Sequence, residues 1–450
     1  MSELRRSPHR CLLLGLALSW FAGASQATGF HELYRAALAS DPVYAAAKSD
    51  REAADALITQ TRGQLLPQLG VSLSRTKNDQ TVTDTLRDRQ ADYDFVSKNA
   101  SLSLSLAVFR PALWAGYFQS HAQVQQAEGG FRNAHQELIL RLAQSYFDVL
   151  LAEDSLVLAR EQKGAVTELL KLSQRYFEAG VGTITDINES QARYDTIVAQ
   201  EIVSESNLEI RIRSLEQLVG YSNRELSRLG EKLTFELPNP ANVDTWLEFA
   251  HNNNPQIKAR EAALEVASKE VQKNISAHLP TVDFVATKSR AEDPGYTTLD
   301  TDIRNNTLGL QVAIPLFSGG STQGRVDQSS ALRRKAANEL EATKRSITLA
   351  VRQEFLNVVN GVAQIKALQQ AVKSNELALY SARKGQEAGL RTSFDVLNAQ
   401  QLVFAAKRDL AQAKYAWFVA RLKLRAAAGL LDESDVLLLE ALLEPKSIGS

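Results

Sequence analysis

The side chains able to do covalent or metal chemistry are few and scattered. Past the first 27 residues the histidines are His31, His121, His135, His251 and His278, and they show neither metal-ligand spacing nor a nucleophile partner. They read as surface or packing residues. No glycine loop of the Walker type is present, and Gly129-Gly130 lies inside a helical pattern, so the energy for any transport must come from a partner. What remains are charged residues beside two glycine turns: Asp186, following Gly180 and Gly182, and Asp395, following Gly389. Thr392 stands three residues before Asp395, the spacing of a capping box where a helix restarts. No catalytic residue, metal site or cofactor is expected.

The N-terminus explains where such a chain would work. Arg5, Arg6 and Arg10 precede an apolar run from Cys11 to Ala22, followed by small residues ending Ser25-Gln26-Ala27. This is the pattern of a secretory signal peptide over residues 1–27. The run is too short for a permanent transmembrane helix, and no other stretch reaches the 18 or so apolar residues that one needs. Cys11, the only cysteine, sits at the start of the run and not beside a cleavage site, so a lipid-anchored N-terminus is not expected. Processing leaves a cysteine-free chain whose stability must come from packing or assembly. It also removes three arginines and Glu3, leaving 48 basic against 51 acidic side chains, a balance that argues against nucleic acid as a partner.

The elements that position the two turns are written twice. Asp41-Pro42 answers to Asn254-Pro255 and Leu66-Pro67 to Leu279-Pro280, both 213 positions on, while Tyr146, Asp186 and Gly220 answer to Phe355, Asp395 and Gly429 at 209. Such an internal repeat is the strongest organising signal in the sequence. The first copy spans 28–238 and the second 239–450, with a joint near Pro238 and Pro240. Each copy reads as a helix, a strand, a polar loop, a strand, a very long helix, a tight turn and another helix. Apolar or small residues at Leu138, Leu142, Val149, Leu156, Ala159 and Leu170 form a 3,4-spaced seam that returns at Ile347, Val351, Val358, Ile365, Leu368 and Leu379. The long helices, about 112–178 and 320–387, would each run roughly 100 Å at 1.5 Å per residue. Helices over about 31–63 and 187–219, stacked end to end, would match one of them; 395–428 follows the second turn.

The strands are expected at about 68–76, 98–109, 281–289 and 307–316. Ser101 to Val108 alternates serine with leucine, as it would with one face against an apolar phase and the other against water. Polar segments at about 77–97 and 290–306 read as surface loops. Four strands cannot close a barrel, and open edges are not tolerated in lipid, so the chain must oligomerise; three copies give twelve strands. Pro67, Pro111, Pro280 and Pro315 fall at the strand ends, where a fixed φ can swivel the chain between barrel and helices. Trp114, Tyr117 and Phe118 fit an interfacial aromatic girdle or the packing of a helix start.

The turns read Phe177-Glu178-Ala179-Gly180-Val181-Gly182-Thr183-Ile184-Thr185-Asp186 and Glu387-Ala388-Gly389-Leu390-Arg391-Thr392-Ser393-Phe394-Asp395. They resemble the periplasmic tip hairpins of TolC-family outer-membrane factors, as does Ile314-Pro315-Leu316-Phe317-Ser318-Gly319-Gly320 entering the second long helix. The resemblance covers essentially the whole mature chain. It implies a mainly α protein with a membrane β-barrel: a homotrimer whose 12-stranded outer-membrane barrel, four strands per chain, continues into a long periplasmic α-helical barrel. It also implies partners, namely a periplasmic adaptor (membrane fusion protein) and an inner-membrane ABC transporter or RND pump. By the same resemblance Asp395 would form a ring of carboxylates at the narrowest point, with Asn398 where a second acidic residue is often found. Arg391, Thr185 and Asp186 would tie neighbouring tip helices together. Gln386 replaces a tyrosine often found there, and a Gln386 to Asp186 hydrogen bond is the available substitute. Gly180, Gly182 and Gly389 would form the turns near which adaptors dock. The resulting expectation is a passive outer-membrane exit duct of a type I secretion system or tripartite pump in a Gram-negative bacterium. RND-driven drug or metal efflux, and a soluble periplasmic coiled-coil protein, are the alternatives.

Overall fold

The computed structural model describes residues 29–85, 88–222, 225–230, 233–293 and 301–444. The signal-peptide expectation over 1–27 lies outside them. The helices are α1 (Phe30–Ser40), α2 (Pro42–Gly63), α3 (Pro111–Glu178), α4 (Ile184–Val219), α5 (Val243–Asn253), α6 (Pro255–Ser276), α7 (Ser321–Glu387), α8 (Ser393–Ala427) and α9 (Glu433–Glu440). The strands are β1 (Gln68–Asp84), β2 (Arg89–Phe109), β3 (Arg228–Leu229), β4 (Thr281–Asp293), β5 (Thr301–Ala313) and β6 (Leu443–Glu444). No helix among the described residues is long and apolar enough to cross a membrane.

Two helices, α3 with 68 residues and α7 with 67, run the length of the molecule. On the sheet side of the middle α3 packs on α2 and α6, and α6 on α7; on the other side α3 packs on α4 and α8, and α8 on α7. The seam residues are inside: Leu138, Leu142, Val149, Val351, Val358 and Ile365 are all buried. The main core gathers halfway along, where α1, α5, α9 and the β3–β6 pair lie across the long helices. Phe30 meets Tyr146 edge-on, Phe147 stacks on Phe418, and the Tyr146 hydroxyl donates to the Ser227 carbonyl at 2.6 Å. A side chain of that size contributes about 1.5–3 kcal/mol when fully buried.

The helix expected over 31–63 is two helices. Pro42 has no N–H and forces the preceding residue out of the helical region; Asp41 is extended, at φ −71° and ψ 117°. The same break falls at Asn254 before Pro255 in the second copy. Both residues cap the helix that follows. The Asp41 carboxylate accepts from the Tyr44 N–H, and the Asn254 carbonyl oxygen from the N–H groups of Gln256 and Ile257. Their remaining partners differ. Asp41, only 2 % exposed, takes both guanidinium nitrogens of Arg141, at 2.7 and 3.1 Å. That hydrogen bond holds its carboxyl below the usual range. Asn254 donates to the Ala427 carbonyl at the end of α8.

The four long strands form one antiparallel sheet in the order β1-β2-β4-β5. Register puts Leu69 opposite Leu104, Leu104 opposite Ala286, and Ala286 opposite Leu308, so the leucines of the sheet share a face with Phe284, while Phe95, Val285 and Ile303 fall on the opposite one. The other face carries Ser72, Ser101, Ser103, Ser289, Thr287 and Asn305. The segments expected as loops are largely strand. Pairing runs out to Asp84 and Arg89 in the first hairpin and to Asp293 and Thr301 in the second. Polar cross-strand pairs support these extensions, among them Lys77–Asp94 at 3.0 Å and Thr81 donating to Asp92 at 2.7 Å. Pro67 and Pro280 immediately precede β1 and β4, Pro111 opens α3, and Pro315 follows β5 by two residues. Trp114, Tyr117 and Phe118 form one aromatic cluster at the start of α3, with Trp114 and Phe118 about half exposed.

Asp41→Ala removes a helix cap and strands a half-buried guanidinium. It is expected to destabilise the fold by about 2–3 kcal/mol, and Asp41→Asn by less because the amide keeps the cap; urea unfolding of the two variants measures the difference.

Candidate functional site

The far ends of α3/α4 and α7/α8 are built by two turns with the same hydrogen bonds. In the first, Val181 and Gly182 donate to the Tyr176 carbonyl; in the second, Leu390 and Arg391 donate to the Gly385 carbonyl, the equivalent acceptor. Gly180 and Gly389 take φ of 75° and 73°, values that other L-residues reach only at a cost of about 1–2 kcal/mol. The two turns solve a second packing problem in opposite ways. A Cβ on Gly182 would stand 2.9 Å from the Phe177 nitrogen, whereas in the second turn the crowded position is Gly385, whose Cβ would stand 2.6 Å from the Arg391 Cγ. Gly385 was not singled out from the sequence, since only the folded turn brings residue 391 back upon it.

Each turn ends in a reciprocal cap that starts the returning helix. Thr392 Oγ1 accepts from the Asp395 N–H at 3.2 Å, and Asp395 Oδ2 accepts from the Thr392 N–H at 2.9 Å and its hydroxyl at 3.0 Å. Thr183 and Asp186 repeat the arrangement. Thr185 therefore lies in the first turn of α4, and the capping threonine is Thr183, legible in retrospect as the residue three before Asp186. Arg391 approaches the second carboxylate oxygen of Asp395 at 3.7 Å. These backbone and hydroxyl donors, with the guanidinium a lesser influence, hold the Asp395 carboxyl below its ordinary value of 3.8.

The side chains expected to tie helices together find other partners within the chain. Gln386 donates to Ser393 Oγ at 3.0 Å and not to Asp186, because both lie in the same tight turn. Asn398 accepts from Arg193 at 3.4 Å, joining α8 to α4; Arg193 carried no motif in the sequence. Behind the turns, Val166, Leu169, Ile197, Ala382, Val396 and Leu397 make a small apolar cluster separate from the main core. In front of them Leu390 and Val181 are 82 % and 76 % exposed. The tip is thus a lightly anchored end with two apolar prows, and no group of histidine, cysteine and acidic residues able to hold a metal occurs among the described residues.

A four-stranded sheet with one apolar face, joined to helices of this length and ending in a capped double turn, defines a wall segment of a membrane-anchored channel. The comparisons agree. The family profile for outer membrane efflux proteins matches residues 33–221 and 246–430, and the chain belongs to that family. It is 33 % identical to the alkaline protease secretion protein AprF of Pseudomonas aeruginosa, over 94 % of this chain and 91 % of that one. It is 30 % identical to the outer membrane protein TolC of Escherichia coli, over 97 % and 89 %. The crystal structure of the Campylobacter jejuni CmeC outer membrane channel superposes with a TM-score of 0.79, at 16 % identity and 98 % coverage of both chains. The protein is an outer-membrane channel component of a Gram-negative cell, with a large periplasmic helical portion, and its family is one of transport proteins.

Because the folded Asp395 carboxyl titrates below 3.8, its cap is complete above that pH and lost as pH falls through the lower folded value. The protection of amides at the start of α8, taken relative to intrinsic exchange at each pH, is expected to fall on acidification across that window in the wild type and to stay constant in Asp395→Asn. Gly182→Ala, which collides with backbone, should loosen the first turn by about 1–3 kcal/mol, while Gly385→Ala, which meets only the flexible Arg391 side chain, should cost less than half as much; exchange rates in the two turns rank them.

Proposed function

We propose that three copies of the chain assemble into a passive exit duct, and that the duct serves a type I secretion system. The sheet carries the assembly. Among the described residues its outer strands β1 and β5 have no further partner, and in lipid each unsatisfied backbone group costs several kcal/mol. A twelve-stranded ring pairs β1 of one copy with β5 of the next, leaves the leucine face to lipid, and turns the serine and threonine face to a water-filled lumen. Leu316 and Phe317, 92 % and 89 % exposed just past β5, then fall against a neighbouring copy. Pro67, Pro111, Pro280 and Pro315 redirect the chain between the two cylinders.

Below the barrel, twelve helices enclose the lumen and the two turns close it. Asp395 leaves one carboxylate oxygen per copy outside its cap, with Arg391 3.7 Å away, a ring of three that attracts cations and repels anions. Asn398 adds no charge, so the constriction has a single acidic ring. Asp186 holds the closed tip through its cap, Arg391, Thr185 and Gln386 through contacts across copies, and Gly180, Gly182 and Gly389 shape the docking surface for a periplasmic adaptor. The relatives at 33 % and 32 % identity are named for secretion of proteases, which supports an ABC transporter as the inner-membrane partner over an RND pump.

In planar bilayers the purified protein is expected to give small, cation-selective conductances blocked by divalent cations from the tip side. Asp395→Ala should raise the half-blocking concentration by roughly threefold or more. Unchanged block would remove Asp395 from the constriction, and absence of any conductance would remove the duct.

A further inference from the structure

Register orders the apolar face of the sheet into rows. Toward the helices the rows are Phe109, Val282 and Val312, then Leu106, Phe284 and Leu310, then Leu69, Leu104, Ala286 and Leu308. Two rows further from the helices the same face reads Leu73, Ala100, Arg290 and Arg304, and the next reads Arg75, Lys98, Glu292 and Asp302; Lys288 lies between, opposite Leu102. Over these three rows five cations stand on the lipid-facing parity against two carboxylates; beyond them only the first hairpin continues, with Lys77 paired to Asp94 and with Asp79 and Asp92. Lys98 pairs with Glu292 at 3.0 Å, Arg290 with Asp302 at 3.0 Å, and Arg304 with Asp302 at 3.2 Å. Among the described residues Arg75 and Lys288 make no ion pair, and both are exposed.

A cation on this face is costly in the hydrocarbon and nearly free at the interface, so the rows mark where acyl chains give way to headgroups. Between them lies a groove of about 590 Å³ whose floor is Val71, Leu73 and Leu102 and whose rim is Lys288, Arg290 and Arg304. An apolar trough ending in a cationic rim matches a molecule with acyl chains and a phosphorylated head, the chains along the leucines and the phosphates on the free ammonium and guanidinium groups.

We propose that this outer-end groove, together with the adjoining depression that Arg75 lines beside Leu73 and Arg290, is a binding site for the phosphorylated, multiply acylated glycolipid of the outer leaflet, with Arg75 and Lys288 as its phosphate ligands and Val71, Leu73 and Leu102 as its acyl contacts. The proposal rests on the leucine face meeting lipid, as the duct reading requires. It adds a specific lipid partner, which would lock the height of each copy in the membrane and cover the seam between the two hairpins of one chain.

The test is native mass spectrometry of the full-length protein released from detergent, titrated with bisphosphorylated lipid A and with dephosphorylated lipid A carrying the same acyl chains. Wild type should hold the phosphorylated lipid on the order of tenfold or more tightly than the dephosphorylated one. Arg75→Gln with Lys288→Gln, which breaks no ion pair, should lose that preference by a similar factor and leave binding of the dephosphorylated lipid unchanged. Equal affinity of the wild type for the two lipids overturns the site, as does a double variant that retains the preference; the wild-type comparison decides even if the variant does not fold. Oligomer mass is read in the same spectra, so a monomer that keeps the phosphate preference would sink the duct while leaving the lipid site standing.

Discussion

Everything in this structure is conditioned by a sheet that ends too soon. Four antiparallel strands place their leucines and Phe284 on one face, which suits that face to lipid, and the same environment forbids the two open edges. The apolar alternation and the unpaired edges cannot both be satisfied by one copy. In the proposed duct the outward leucines meet lipid, and the exposed Leu316 and Phe317 and the open flanks of the long helices meet neighbouring copies.

Rigidity and mobility are distributed along that wall. The aromatic core at mid-length, with Tyr146, Phe147, Trp417 and Phe418 drawn from different helices, fixes the helices against one another and against the short elements α1, α5 and α9. Toward the tip the support shrinks to one small apolar cluster and a few polar ties, so local opening there disturbs little of the buried area. Local opening costs least at such an end, which is where the proposed duct has its gate. The repeat is also less symmetric than its landmarks suggest. At the helix breaks, Asp41 is charged and paired with Arg141 where Asn254 is neutral and holds a backbone carbonyl. At the turns, the close-packed glycine is Gly182 in one copy and Gly385 in the other.

Much of this was legible in the sequence because it is periodic. The serine and leucine alternation of 101–108 gave the strand and its faces, the 3,4 seam gave the buried side of the long helices, and Thr392 three residues before Asp395 gave the cap. What escaped depends on partners distant in sequence or on backbone closure. The break at Asp41 follows from Pro42, but Arg141, which neutralises it, lies 100 residues on. Strand pairing past Lys77 and Arg290 was hidden because polar residues on paired strands satisfy each other across the ladder, and composition alone reads them as loop. Arg193 reaching Asn398 is set by which helix faces meet at the tip, and Gln386 turning to Ser393 and not Asp186 by closure of the second turn.

The central claim is that β1 of one copy pairs with β5 of the next. Past Cys11 the chain has no cysteine, so single cysteines placed along β1 and β5, with Cys11 replaced by Ser, report that pairing directly by oxidative crosslinking in outer membranes. The account predicts disulfides between β1 and β5 cysteines of different copies, closing into a covalent ring of three and no larger species. A protein that stays monomeric at every cysteine pair, with a folded sheet in detergent and a monomer mass, would contradict it.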